Sequence, residues 1–74
     1  MTITIKSERI GTDTNRYFVE IYQNKFETVW HVGAYISHNN GATYRTITDL
    51  TYTNIESAKI RYSYFKRKAK RNEL

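Results

Sequence analysis

The sequence predicts an α+β fold: a three- to four-stranded antiparallel β-meander with one C-terminal amphipathic helix packed on one face. Three observations carry this. Apolar and polar residues alternate in short runs up to Thr48, the period of half-buried strands. An Asn40-Gly41 step separates two such runs, and this pair favours a hairpin because both residues tolerate positive φ. From Ile55 onward the apolar spacing changes to three and four, the period of a helix.

Taken in order, Ile3 and Ile5 alternate with Thr2, Thr4 and Lys6, which predicts a strand over about 2–6. The turn residues Gly11 to Asn15 end it. RYFVEIY at 16–22 is rich in aromatic and β-branched side chains and reads as the second strand. One of its faces carries Tyr17, Val19 and Ile21, the other Phe18, Glu20 and Tyr22. After a turn at Gln23 to Lys25, ETVWHVGAYIS at 27–37 is the third strand. Here Trp30, Val32, Ala34 and Ile36 share one face, and His31, Gly33 and Tyr35 the other. Beyond the Asn-Gly step, 42–48 is the return strand, with Asp49 as a turn residue. Thr53 and Glu56 have capping-box spacing. The helix is expected over about 54–71, its stripe Ile55, Ala58, Tyr62, Phe65 and Ala69 facing the Trp30 side of the sheet. Asn72 to Leu74 are expected to fray.

With 74 residues the chain suffices for one small domain, 1–74, with a thin core. That disfavours an enzyme with a deep closed pocket and favours a surface binder or a subunit of an oligomer. The absence of Cys excludes a disulfide framework and a thiolate zinc site. No apolar run is long enough for a signal peptide or a membrane span, so a soluble, cytoplasmic protein is expected. His31 and His38 have no third metal ligand at suitable spacing. Gly11, Gly33 and Gly41 are isolated rather than grouped in a phosphate loop, and no serine stands in a nucleophile elbow. No cofactor or metal is expected.

The net charge of +5 is concentrated at one end. Residues 1–58 carry five Lys or Arg against six Asp or Glu, whereas 59–74 carry seven against one. A helix dipole favours one or two cations in its last turn. Seven in thirteen positions exceed that need and have the footprint of a polyanion binder. Lys59, Arg61, Lys66, Arg67, Lys68, Lys70 and Arg71, with Tyr64 for stacking, are therefore the candidate nucleic-acid-binding residues. Ile60, Tyr64, Arg67 and Arg71 form a second helical stripe away from the core. On the sheet, alternation leaves Phe18, Tyr22, His31 and Tyr35 on the face the helix does not cover. They serve either as stacking or interface residues or as cross-strand pairs that stabilise the sheet. One catalytic arrangement competes with these: a metal-independent ribonuclease set of His31, Tyr35, Arg45 and Lys25, which requires all four within reach of one phosphate. A non-enzymatic role is preferred, with no catalytic residues assigned.

The strand–strand–strand–helix order ending in TNIESAKIRYSYFKRKAK resembles the three-stranded-sheet-plus-helix DNA-binding modules of integrase arms. Those insert the sheet into the major groove. This chain differs, since only Arg16, Lys25 and Arg45 offer cations there. In size and in its Lys, Asn, Ile and Tyr content the whole chain also resembles small phage-encoded anti-defence proteins, such as anti-CRISPR proteins and inhibitors of toxin–antitoxin systems. That resemblance implies a factor interfering with a host nucleoprotein system. The expected partner is nucleic acid, RNA before DNA, or a host nucleoprotein complex. The alternative is a protein-binding inhibitor docking on an acidic host surface. Leftover aromatic surface further suggests a homo-oligomer, a dimer in the simplest case.

Overall fold

The structure is a computed structural model that describes residues 2–74. Four strands, β1 (Thr2–Gly11), β2 (Arg16–Asn24), β3 (Trp30–Ser37) and β4 (Arg45–Tyr52), form one antiparallel sheet in the order β1-β2-β3-β4. A single helix, α1 (Ile55–Lys70), follows and lies over the sheet, mainly over the two central strands. The predicted α+β class and its meander with one helix are what the chain adopts.

The core is built by the two periodicities anticipated. Tyr17, Val19 and Ile21 of β2 and Val32 and Ala34 of β3 are buried against Ala58, Tyr62, Phe65 and Ala69 of α1. Trp30, Ile36, Leu50, Tyr52 and Ile55 pack around them. Burying each large apolar side chain stabilises by roughly 1.5–3 kcal/mol, so a core this small depends on every member.

The edges depart from expectation. β1 runs to Gly11, not to about residue 6, because Ser7, Glu8 and Arg9 pair with β2 despite their polarity. An edge strand with one solvated face gives little apolar signal. β4 spans 45–52 rather than 42–48. Asp49 is therefore not a turn residue but lies mid-strand opposite Gly33. β3 starts at Trp30 rather than residue 27, after a turn in which Phe26 has φ 70°. The register slips by one residue at Ile5 in β1 and at Ile47 in β4, so each edge strand carries a β-bulge. Because of the first bulge, Ile5 has no partner on β2, and the alternation that Ile3 begins shifts by one residue from Lys6 onward. Bulges also blunt sheet edges against pairing with further strands.

The connections are set by side chains. Asn40 and Gly41 both have positive φ, 61° and 88°, as the Asn-Gly step anticipates. The link from β3 to β4 nevertheless extends over residues 38–44 rather than making a two-residue turn. Buried Ser37 organises it: its Oγ donates to Asn39 Oδ1 at 2.7 Å and accepts from the Gly41 amide at 2.9 Å. The helix N-cap is Asn54, not Thr53. Its Oδ1 accepts from the amides of Glu56 at 2.7 Å and Ser57 at 3.4 Å. Glu56 thus falls one position too early to close a capping box.

The C-terminus is ordered rather than frayed. The amides of Asn72 and Glu73 donate to the carbonyls of Ala69 and Lys68, both at 2.9 Å, with Asn72 at φ 57°. This is a Schellman ending with Asn in the left-handed position. The Asn72 carboxamide binds Tyr17 Oη at 2.6 Å, Asn15 Nδ2 at 2.8 Å and Thr14 Oγ1 at 2.9 Å. His38 Nδ1 donates to Asn15 Oδ1 at 2.6 Å. The β1–β2 turn, the β3–β4 loop and the helix end are thereby joined at one end of the molecule. Among the described residues, no helix is long and apolar enough to cross a membrane.

Candidate nucleic-acid interface

The predicted site residues fall on two surfaces separated by the sheet. Lys59, Ile60, Arg61, Tyr64, Lys66, Arg67, Lys68 and Lys70 lie on α1, away from or beside its buried stripe, and Arg71 is its C-cap. Phe18, Tyr22, His31 and Tyr35 lie on the opposite sheet face, as alternation anticipates.

On the helix, the stripe Ala58, Tyr62, Phe65 and Ala69 is consumed by the core. Tyr64 stays at the surface with 38% exposure, and two cations approach its ring. The Arg61 guanidinium lies 5.1 Å from the ring centroid and the Lys68 ammonium 5.7 Å. Spacings of three and four residues bring all three to one flank. Arg61 is held further by Tyr52, its Nε donating to the phenol oxygen at 3.2 Å. Ile60 is 72% exposed. Lys66 belongs to the other flank. It folds over the Tyr62 ring at 5.3 Å and pairs with Glu8 at 3.4 Å, while Lys6 of β1 approaches the same ring at 5.4 Å.

Three of the seven helix cations therefore have carboxylate partners: Lys66 with Glu8, Lys59 with Glu56 at 3.7 Å, and Arg71 with Glu73 at 3.5 Å. The Lys59–Glu56 and Arg71–Glu73 pairs are exposed, and such pairs contribute about 0–1 kcal/mol and yield readily to a competing anion, whereas Lys66–Glu8 is half-buried. Among the described residues, Arg61, Arg67, Lys68 and Lys70 form no ion pair.

The aromatic sheet face is a different environment. Phe18 stacks on Tyr35 at 5.8 Å and Tyr22 on His31 at 4.8 Å, each pair directly opposite in register. The Tyr35 hydroxyl donates to Glu20 Oε2 at 2.8 Å and the Tyr22 hydroxyl to Asp49 Oδ2 at 2.5 Å. A carboxylate only accepts, so His31 gives its Nε2 proton to Glu27 at 2.6 Å, and its Nδ1 meets Thr51 Oγ1 at 3.1 Å. Burial, then the bond to Asp49, push the Tyr22 phenol up to about 12. Burial and the Glu20 bond raise Tyr35 in the same direction. Hydrogen bonds from His31 and then Asn24 hold the Glu27 carboxyl below its ordinary range. These aromatics are cross-strand pairs, and Tyr35, Tyr22 and His31 are tied to the carboxylates of Glu20, Asp49 and Glu27.

The ribonuclease set does not assemble. His31 and Tyr35 are four residues apart on β3, about 13 Å at the strand rise. Arg45 pairs opposite Ile36 at one end of the sheet, and Lys25 lies in the turn at the other, over Phe26. Among the described residues no group of three or more His, Asp or Glu is placed to hold a metal ion.

Sequence reasoning missed Tyr52 as the anchor of Arg61, and Glu20 and Asp49 as acceptors for the sheet tyrosines. The parity of Glu20 with Phe18 was a usable signal for the first of these acceptors. Asp49 was hidden by the misplaced end of β4. Compared with protein-family models, curated proteins and solved structures, the chain matches none of them.

Proposed function

We propose that this chain is a small non-enzymatic nucleic-acid-binding protein that takes single-stranded RNA on the outer face of α1. The observation that carries the reading is Tyr64, an exposed ring flanked by Arg61 and Lys68, beside the unpaired Arg67 and Lys70. Cations release counterions from a phosphate chain, and an exposed ring stacks an unpaired base without regard to sequence. Unpaired bases in loops and ends are the usual targets on RNA. Phosphate contacts then set affinity, with little base specificity. The biological setting that the size and composition suggest is a phage factor acting on a host nucleoprotein system in the cytoplasm.

The test is a variant with Arg67, Lys68, Lys70 and Arg71 changed to Gln, which leaves the Lys66–Glu8 pair in place. Its thermal melt should match the parent, and its affinity for a single-stranded RNA oligonucleotide should fall about tenfold or more at moderate salt. Unchanged RNA affinity in a folded variant contradicts the reading. One observation favours a second reading, a protein-binding inhibitor: Ile60 is a large apolar side chain left in solvent at the helix crest. In that case Ile60→Asp abolishes partner binding, whereas RNA binding is indifferent to it.

A further inference from the structure

At the end of the sheet where the helix terminates, a cleft of about 350 Å3 opens between the β1–β2 turn and the β3–β4 loop. Its lining includes Arg9, Gly11, Arg16, Asn40, Gly41 and Tyr44, and no carboxylate. Arg9 and Arg16 reach it from the sheet face that carries Phe18. Arg9 is opposite Phe18 in register, and Arg16 is two residues before Phe18 on β2. Neither arginine forms an ion pair among the described residues. Glu20, on the same face of β2, accepts from the Tyr35 hydroxyl at 2.8 Å.

Both guanidinium groups are positioned. Arg9 lies over the Phe18 ring at 5.7 Å. Arg16 donates its Nε to Asn40 Oδ1 at 2.7 Å. That bond leaves the terminal nitrogens of Arg16 as donors, and a guanidinium fork matches phosphate oxygens two at a time. Asn40 and Gly41 hold positive φ, which carries the loop backbone past the Arg16 side chain. Tyr44 stands at the rim, 38% exposed. Two cations thus line one cleft whose lining holds no carboxylate, which favours an anionic ligand.

We infer that this cleft binds the phosphate monoester of a nucleoside, with the phosphate on Arg9 and Arg16 and the base on Tyr44. The volume suits a ligand of that size. The same chemistry is offered by a free mononucleotide and by the 5′-phosphorylated end of an oligonucleotide. The site is separate from the outer face of α1 and does not depend on that face binding RNA.

Titration calorimetry on the full chain tests it with adenosine 5′-monophosphate, adenosine, and a short oligoadenylate with and without a 5′-phosphate. The monophosphate should bind about tenfold or more tightly than adenosine. Arg9→Gln and Arg16→Gln should each remove about tenfold of that affinity, and Tyr44→Ala should weaken the monophosphate and adenosine alike. A 5′-phosphate that strengthens oligoadenylate binding in the parent, but not in the Arg9→Gln/Arg16→Gln protein, assigns the site to nucleic-acid ends. Binding of the monophosphate without that preference assigns it to free nucleotides. The helix variant with four Gln substitutions should keep monophosphate binding, which separates this site from the outer helix face. Equal affinity for adenosine and its monophosphate in the unmodified protein overturns the inference. So does full monophosphate binding by a folded Arg9→Gln/Arg16→Gln protein.

Discussion

The ring of Tyr35 lies across Gly33, so close that a Cβ on Gly33 would collide with the Tyr35 hydroxyl and ring carbons. The missing side chain at residue 33 lets Tyr35 lean along its own strand and reach Glu20 on the neighbouring one. An aromatic ring covering a glycine restores packing that the glycine lacks. Gly33→Ala should therefore destabilise the fold by about 1–3 kcal/mol, read by urea denaturation. The same substitution in a Tyr35→Ala background should cost clearly less, since the colliding ring is gone. Equal costs in the two backgrounds would separate Gly33 from Tyr35.

Asn72 combines two duties that substitution can separate. It holds the left-handed φ that ends α1, and its carboxamide satisfies the part-buried Tyr17 hydroxyl. Asn72→Gly keeps the backbone and loses the carboxamide, an expected loss of about 1–3 kcal/mol. Asn72→Ala adds the steric penalty of a Cβ at positive φ, roughly 1–2 kcal/mol more. Tyr17→Phe should make Asn72→Gly less costly, because no hydroxyl is then left unpaired. Thermal melts of the four proteins check the set.

The sheet tyrosines make the fold sensitive to alkali. In the folded chain Tyr22 holds its proton up to about 12, against an ordinary value of 10.0. The stabilisation from that proton is complete below pH 10 and is lost as pH rises through about 12. The parent should therefore lose more stability over that interval than Tyr22→Phe, which has no proton to lose. On the acid side the sign reverses. Glu27 is depressed below 4.5, so its contribution is present above that value and disappears as pH falls through the lower folded value. Denaturation midpoints across the pH range read both effects, and parallel alkaline curves for the parent and Tyr22→Phe would contradict the first.

What was legible in the sequence follows burial. The central strands and the helical stripe expose their pattern because one face of each is fully withdrawn from water, as at Val19, Val32 and Ala58. The division of Phe18, Tyr22, His31 and Tyr35 from the core followed from parity alone. The edge strands were misjudged because solvent meets them on more sides. The strand predicted over about 2–6 stops short of Ser7 to Arg9, although the ladder continues to Gly11. The cap moved by one residue because Thr53 and Asn54 are both good caps, and only geometry chooses between them. The Arg9 and Arg16 cleft was invisible for a related reason: its two cations come from strands whose register is set by a bulge at Ile5.

If the outer face of α1 meets phosphates, RNA binding must depend on salt in a defined way. With Arg61, Arg67, Lys68 and Lys70 each engaging one phosphate, the logarithm of affinity for single-stranded RNA should fall linearly with the logarithm of salt, with a slope of about −3. The slope should shrink by about 0.7 for each cation replaced by Gln. A flat dependence, or a slope untouched when Arg67, Lys68 and Lys70 are all replaced, would contradict it.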